Sequence, residues 1–130
     1  MARSLGNIGW CYAKLEDYRQ SLTYCHQAAE EYQELDSEHE AAGNWHSVGY
    51  AYLGLGDHAQ AITYFRKALG VLVEFDDPQG QVATLTDLGH AYLAGGQPEL
   101  ARDAWRRALD IVTQRQLPGR DQLENVTQSR

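Results

Sequence analysis

The sequence predicts an all-α protein made of three copies of one helical hairpin. Within the 130 residues, Gly9, Gly49 and Gly89 recur at intervals of 40 residues. In each copy, apolar and small residues follow the i, i+3, i+4, i+7 spacing of one helix face. No stretch shows the two-residue alternation of a half-buried strand. These observations favour an array of helices over a fold that contains a sheet.

Further columns of similar residues keep the same register. In the first helix of each copy, an aliphatic residue precedes the glycine and a tyrosine follows it. The second helix carries an alanine column and a column of larger side chains. These columns are Ile8, Val48 and Leu88; Tyr12, Tyr52 and Tyr92; Ala28, Ala68 and Ala108; and Cys25, Phe65 and Trp105. Because glycine costs about 1 kcal/mol against alanine inside a helix, its return in every copy indicates that another helix packs closely against it.

Short breaks separate the predicted helices. Gly54 and Gly56 permit the positive φ that ends a helix. Asp17 and Asp57 suit the N-terminal end of the helix that follows, and Pro98 suits a first helical turn. The same helix-start chemistry separates the copies, at Asp36-Ser37 and at Asp76-Asp77-Pro78. Each copy is therefore a helix A, a short turn and a helix B.

The string from Trp45 to Tyr52, WHSVGYAY, resembles the W-x2-L-G-x2-Y signature of the tetratricopeptide repeat (TPR). The resemblance extends over residues 2–115 and implies a right-handed TPR-type helix-turn-helix solenoid. Two features depart from the usual pattern. The proline near the end of helix B is absent, and the period is 40 residues instead of about 34. We expect the additional residues to lengthen helix B and its linker.

One TPR domain is predicted for residues 1–130. Its three repeats are expected at about 2–41, 42–81 and 82–119. The polar segment that follows has Leu123 and Val126 three positions apart, which predicts a capping helix at about 120–128. Since the first repeat begins at once, without a preceding cap, we expect the chain to be the C-terminal end of a longer array.

The composition and the apolar pattern argue against several classes of function. A net charge of -7 disfavours direct binding of nucleic acid. No apolar run is long enough for a membrane span, and the N-terminus lacks the apolar core of a secretory signal. Two cysteines make no disulfide framework. We therefore expect a cytoplasmic protein with no membrane partner.

Catalytic chemistry finds little support in the sequence. The five histidines and two cysteines lack the spacing of a metal site. Cys25 shares the column of Phe65 and Trp105, so it is expected in the core. No catalytic residue, metal ion or cofactor is predicted, and we expect a non-enzymatic protein.

The TPR resemblance implies that helix A of each repeat lines a concave groove that binds a protein or peptide. Trp10, Tyr50 and His90 place one ring at the same position of every copy. Such rings are typical of binding hot spots, although they could also fill space between adjacent A helices. The predicted groove residues are Arg3, Asn7, Trp10, His46, Ser47, Tyr50, Thr86, Asp87 and His90.

The strings DYRQSLTYCHQA, SVGYAYLGLGDHAQAITYFRKAL and LARDAWRRALDI also resemble the C-terminal TPR region of actinobacterial regulators of the antibiotic-regulatory-protein type. Those regulators carry DNA-binding and NB-ARC switch domains before the repeats. This chain has no phosphate loop, so the resemblance implies the sensor or docking end of a larger transcriptional regulator. Its groove would bind a peptide or another domain of the same regulator.

Two alternative functions remain open from the sequence. The first is a sensor of a small ligand or signalling peptide in the same groove, with His46 and His90 giving sensitivity to pH near neutrality. The second is a scaffold that associates with itself through its uncapped ends.

Overall fold

The computed structural model describes residues 2–128, and this part of the chain forms seven α-helices with no strand. Each helix packs against the next along the chain, so the predicted all-α solenoid is confirmed. The helices are α1 (Ala2–Lys14), α2 (Tyr18–Glu34), α3 (Glu38–Gly54), α4 (His58–Glu74), α5 (Pro78–Ala94), α6 (Pro98–Arg115) and α7 (Arg120–Gln128).

The solenoid has two unlike faces. In addition to the contacts between sequential helices, α1 contacts α3 and α3 contacts α5. No comparably close approach joins α2 to α4 or α4 to α6. The first helices of the hairpins therefore lie closer together than the second helices. We refer to the side formed by α1, α3 and α5 as the inner face, and to the side formed by α2, α4 and α6 as the outer face.

The turns between the helices share one conformation. In the Gly56 turn, the N–H of Asp57 donates to the carbonyl of Tyr52 at 2.9 Å, which is the bond of a Schellman helix end. The same bond recurs at each of the other turns between α1 and α6. The left-handed residues of these turns are Glu16, Asp36, Gly56, Asp76 and Gly96. Because these residues are evenly spaced along the chain, each 40-residue unit consists of two segments of similar length, each a helix with its turn.

The helices that open the second and third hairpins begin a few residues before the repeats predicted at about 42–81 and 82–119. Helices α3 and α5 begin at Glu38 and Pro78, so the boundaries expected near 42 and 82 fall inside them. The additional residues also do not lengthen helix B and its linker alone. They are shared between helix B and the start of the next helix A, and only residues 75–77 link α4 to α5. Val73 stands where the usual proline would lie near the end of helix B, and α4 includes it and ends at Glu74.

The glycine column of helix A packs against helix B of the same repeat, as predicted. A Cβ added at Gly9 would lie 2.5 Å from the Cys25 sulfur, and one added at Gly49 would lie 2.7 Å from the Phe65 ring. At Gly89 it would overlap the indole of Trp105. The predicted burial of Cys25 is confirmed, and this burial raises the pKa of its thiol.

Aspartates cap several of the helices. The carboxylates of Asp17 and Asp57 accept hydrogen bonds from backbone N–H groups in the first turns of α2 and α4, as predicted. Asp77 caps α5 by accepting from the Gly80 N–H at 2.9 Å, and it also bonds His39 Nε2 at 2.8 Å. These two bonds hold the pKa of Asp77 below its ordinary value, with the Gly80 bond as the larger cause. The cap of α5 is thereby tied to α3.

We expect Asp77→Ala to lower the free energy of unfolding by about 1–2 kcal/mol at neutral pH, because α5 loses its cap. A carboxylate with a depressed pKa in the folded state stabilises above its ordinary pKa, and this contribution is lost as the pH falls through the folded-state pKa. Urea unfolding should therefore show the two proteins converging in acid. Ser37→Ala is the control, since Ser37 caps α3 without a side-chain hydrogen bond. A constant difference between Asp77→Ala and the parent protein at all pH values would contradict this account.

Candidate functional site

The predicted groove residues lie on α1, α3 and α5, and none of them is fully buried. The structure does not gather them into one continuous row. It places four in a pocket between α1 and α3, joins two by a hydrogen bond between α3 and α5, and places two in a second pocket beside α7. Tyr50, the ninth, contacts Trp10 at the edge of the first pocket.

The first pocket has a volume of about 220 Å³ and is lined by Arg3, Asn7, Trp10 and Ser47 among the predicted residues. Tyr32 and Asn44 also line it, although they were not among the predicted groove residues. A Cβ added at Gly6 would lie 2.7 Å from the amide oxygen of Asn44, so this glycine permits the close approach of α1 and α3. The pocket combines one exposed ring with hydrogen-bonding side chains.

The rings of Trp10 and Tyr50 form the aromatic part of the inner face. Their centroids are 5.5 Å apart at an interplanar angle of 56°. Tyr18 extends the cluster, 6.3 Å from Tyr50, and the Lys14 ammonium lies 5.7 Å from the Trp10 ring. Trp10 remains 38% exposed, whereas Trp45 and Trp105 are each 5% exposed. The pair both fills the space between α1 and α3 and presents an aromatic surface to solvent.

His46 and Asp87 join two helices of the inner face. The Nε2 atom of His46 lies 2.7 Å from a carboxylate oxygen of Asp87, and both side chains are mostly covered. The His46 ring also packs 5.5 Å from Phe65 in the core. This pair connects α3 to α5 and fixes polar groups between the two pockets.

The second pocket has a volume of about 230 Å³ and lies between α5 and α7. Thr86 and His90 line it from α5, and Leu123 and Val126 line it from α7. His90 makes an edge contact with the buried Trp105 at 5.3 Å. The structure therefore separates His90 from the pair formed by Trp10 and Tyr50. Helix α7, predicted only as a cap, therefore also contributes to this part of the inner face.

The inner face offers aromatic surface and hydrogen-bonding groups. Among residues 2–128, no group of three or more His, Cys, Asp or Glu side chains is arranged to hold a metal ion. No helix in the described part of the chain has the length and apolar character needed to cross a bilayer. The inner face thus combines a partly exposed tryptophan with polar side chains, and tryptophan is among the residues enriched at binding hot spots.

The model of the tetratricopeptide repeat family matches residues 1–72 and 40–114. The chain therefore belongs to the tetratricopeptide repeat family. Such repeats commonly serve as protein–protein interaction modules and are typically scaffolds without a catalytic role. No curated protein shows significant sequence similarity to this chain.

Solved structures of low sequence identity share the fold. The TPR domain of Arabidopsis FLU superposes with a TM-score of 0.81 at 17% identity, over 87% of this chain and 95% of that one. The apo form of RapI gives a TM-score of 0.88 at 14% identity, over 97% of this chain and 46% of RapI. A putative kinesin light chain of Podosopora anserina gives 0.80 at 16% identity, over 96% of this chain and 63% of that one. This chain thus spans less than two thirds of the last two proteins.

Proposed function

We propose that this protein is a non-enzymatic interaction module whose inner face binds a peptide or a domain of a partner protein. The observation that carries the proposal is the contact between Trp10 and Tyr50, which leaves the Trp10 ring 38% exposed. Tryptophan and tyrosine are the residues most enriched at binding hot spots, because they bury a large area and keep a polar group. The two rings form the anchor of the proposed site.

Polar side chains around the two rings would orient a bound peptide. Arg3 and Asn7 lie on the exposed side of α1, about two helical turns and one helical turn before Trp10, respectively. Ser47 and Asn44 face them from α3 across the pocket. An extended peptide running from this pocket past His46 and Asp87 would meet hydrogen-bonding groups along its path. We propose that it reaches Thr86 and His90 at the other end.

We also propose that this module is part of a larger protein. The resemblance to the C-terminal repeats of antibiotic-regulatory-protein regulators supports a place in a larger bacterial transcriptional regulator in the cytoplasm. The partner would then be a peptide or another domain of the same regulator. Binding would act on the regulator only through a difference in affinity between its two states.

The test is capture of a partner from a lysate of the source cell, followed by titration of the captured protein with purified variants. We expect Trp10→Ala/Tyr50→Ala to weaken binding at least about tenfold, because truncating a hot-spot residue costs about 2 kcal/mol or more and a tenfold change in affinity is about 1.4 kcal/mol. Leu15→Ala/Leu35→Ala is the matched control, since it removes exposed apolar side chains from two turns outside the pockets. Circular dichroism would establish that both variants remain helical. Equal affinity for all three proteins would reject the proposed site.

A further inference from the structure

The outer face carries a cleft of about 420 Å³ between α4 and α6, with α5 forming its floor. Leu69, Leu88 and Tyr92 give it an apolar lining that belongs to the central core cluster. Arg66 lines it from α4 and Arg107 lines it from α6. None of the predicted groove residues contributes to this cleft, so it is separate from the inner-face site.

The repeat register explains why the cleft exists. In the second repeat, Tyr52 of helix A stacks on Tyr64 of helix B, with centroids 5.6 Å apart and planes at 13°. The first repeat has the same stack, formed by Tyr12 and Tyr24. In the third repeat, Tyr92 occupies the position of Tyr52, but Ala104 occupies the position of Tyr64. The third repeat therefore lacks the ring that covers the helix A tyrosine in the other two.

The missing ring would lie between two successive outer helices. Tyr64 contacts His26 of α2 at 5.4 Å and Trp45 of α3 at 5.5 Å, so it fills the gap between the first and second repeats. At the next gap, Ala104 leaves this space open and Arg66 stands at the position of His26. The cleft thus has room for an aromatic ring beside Tyr92.

The charged residues at the rim of the cleft indicate which residues should flank an aromatic ring in a ligand. The chain as a whole carries a net charge of -7, yet Arg66 and Arg107 both line the cleft from exposed positions. Within the described part of the chain, neither guanidinium lies at ion-pair distance from a carboxylate. Asp103 is the single carboxylate among the lining residues. Two unpaired guanidinium groups on opposite walls favour carboxylates in a ligand.

We propose that this cleft binds an acidic segment of a partner protein through an aromatic side chain that takes the place filled by Tyr64 in the preceding repeat. The ring stacks on Tyr92, and carboxylates on either side of it pair with Arg66 and Arg107. The geometry requires both features in one short segment, because the two arginines flank the apolar floor. The outer face is then a second docking surface, independent of the one proposed for the inner face.

The test is a titration of the isotope-labelled full chain with a blocked pentapeptide of one tyrosine between two pairs of glutamates, followed by amide NMR. We expect saturable shifts at Gly70, Leu88 and Ala104. A peptide with alanine in place of the tyrosine, and one with lysines in place of the glutamates, should each bind at least about tenfold more weakly. Equal binding of all three peptides, shifts confined to the inner face, or no saturable shift would each overturn the proposal.

Two variants of the cleft and one control variant test whether the peptide binds there. Ala104→Tyr installs the ring found in the second repeat, and we expect it to weaken peptide binding at least about tenfold by filling the space. Ala59→Tyr adds the same ring at an exposed position of α4 outside the cleft, and it should leave affinity unchanged. Arg66→Glu/Arg107→Glu reverses the rim charges without altering the core and should weaken binding at least as much. Retained affinity in both cleft variants would overturn the proposal.

Discussion

Replacing Phe65 with alanine is expected to lower the free energy of unfolding by about 3–5 kcal/mol. The side chain is fully buried and packs against Gly49 and His46 of α3. It also belongs to the core cluster that contains Leu85 and Leu88 of α5. Its removal would leave a cavity where the second and third repeats meet, so the loss includes both transfer free energy and cavity formation.

Urea unfolding followed by circular dichroism measures this effect, and the chain offers a matched control. It contains two phenylalanines, and Phe75 is 51% exposed in the turn after α4. Phe75 stacks on His39 at 5.1 Å, so we expect Phe75→Ala to cost less than about 1 kcal/mol. Losses of similar size in the two variants would show that Phe65 does not connect the repeats as described.

Gly89→Ala should destabilise the protein by about 1–3 kcal/mol, although alanine is the better helix former. The added methyl group would overlap the indole of Trp105, whose Nε1 donates to the carbonyl of Thr86 at 3.1 Å. The ring would have to move, which breaks this hydrogen bond and disturbs the core. Overpacking of this kind outweighs a helix-propensity gain of about 1 kcal/mol.

Gly70→Ala provides the opposite case within the same fold. Gly70 lies in α4, and a Cβ added there meets no atom within 4 Å. We expect this variant to be more stable than the parent protein by up to about 1 kcal/mol, because only helix propensity changes. Thermal unfolding tests both predictions: the unfolding midpoint should fall for Gly89→Ala and rise for Gly70→Ala, each compared with the parent protein. Stabilisation by Gly89→Ala would contradict the role assigned to the glycine column.

Much of the fold could be predicted because its main packing device repeats in the sequence. The glycine column marks where helix B approaches helix A, and the structure places a helix B side chain against each glycine. The uniform turns were harder to recognise. Gly56 and Gly96 reveal a left-handed residue, but Glu16 and Asp76 hold the same conformation without glycine. The sequence marks helix starts at Asp36-Ser37 and Asp76-Asp77-Pro78, but the equal spacing of all five turns becomes visible only in the structure.

The sequence could predict which repeat positions line the inner face, but not which side chains contact each other. Those contacts depend on how closely helices of successive repeats approach. The sequence identified His46 and Asp87 separately, and their hydrogen bond depends on the approach of α3 to α5. It placed His90 in a row with Trp10, whereas the structure turns that ring toward Trp105. The substitution of Ala104 for a tyrosine is visible in the repeat columns, but the resulting cleft requires the positions of three helices.

The central claim is that the partner binds the inner face, and photo-crosslinking tests it most directly. A photoreactive benzoylphenylalanine would be placed at Asn7, which lines the inner-face pocket, or at Val73, which lines the outer-face cleft. Both positions are exposed, so either can react with a bound protein. We predict that the partner whose binding depends on Trp10 and Tyr50 crosslinks from Asn7 and not from Val73. Crosslinking from Val73 alone would contradict the claim and place that partner on the outer face.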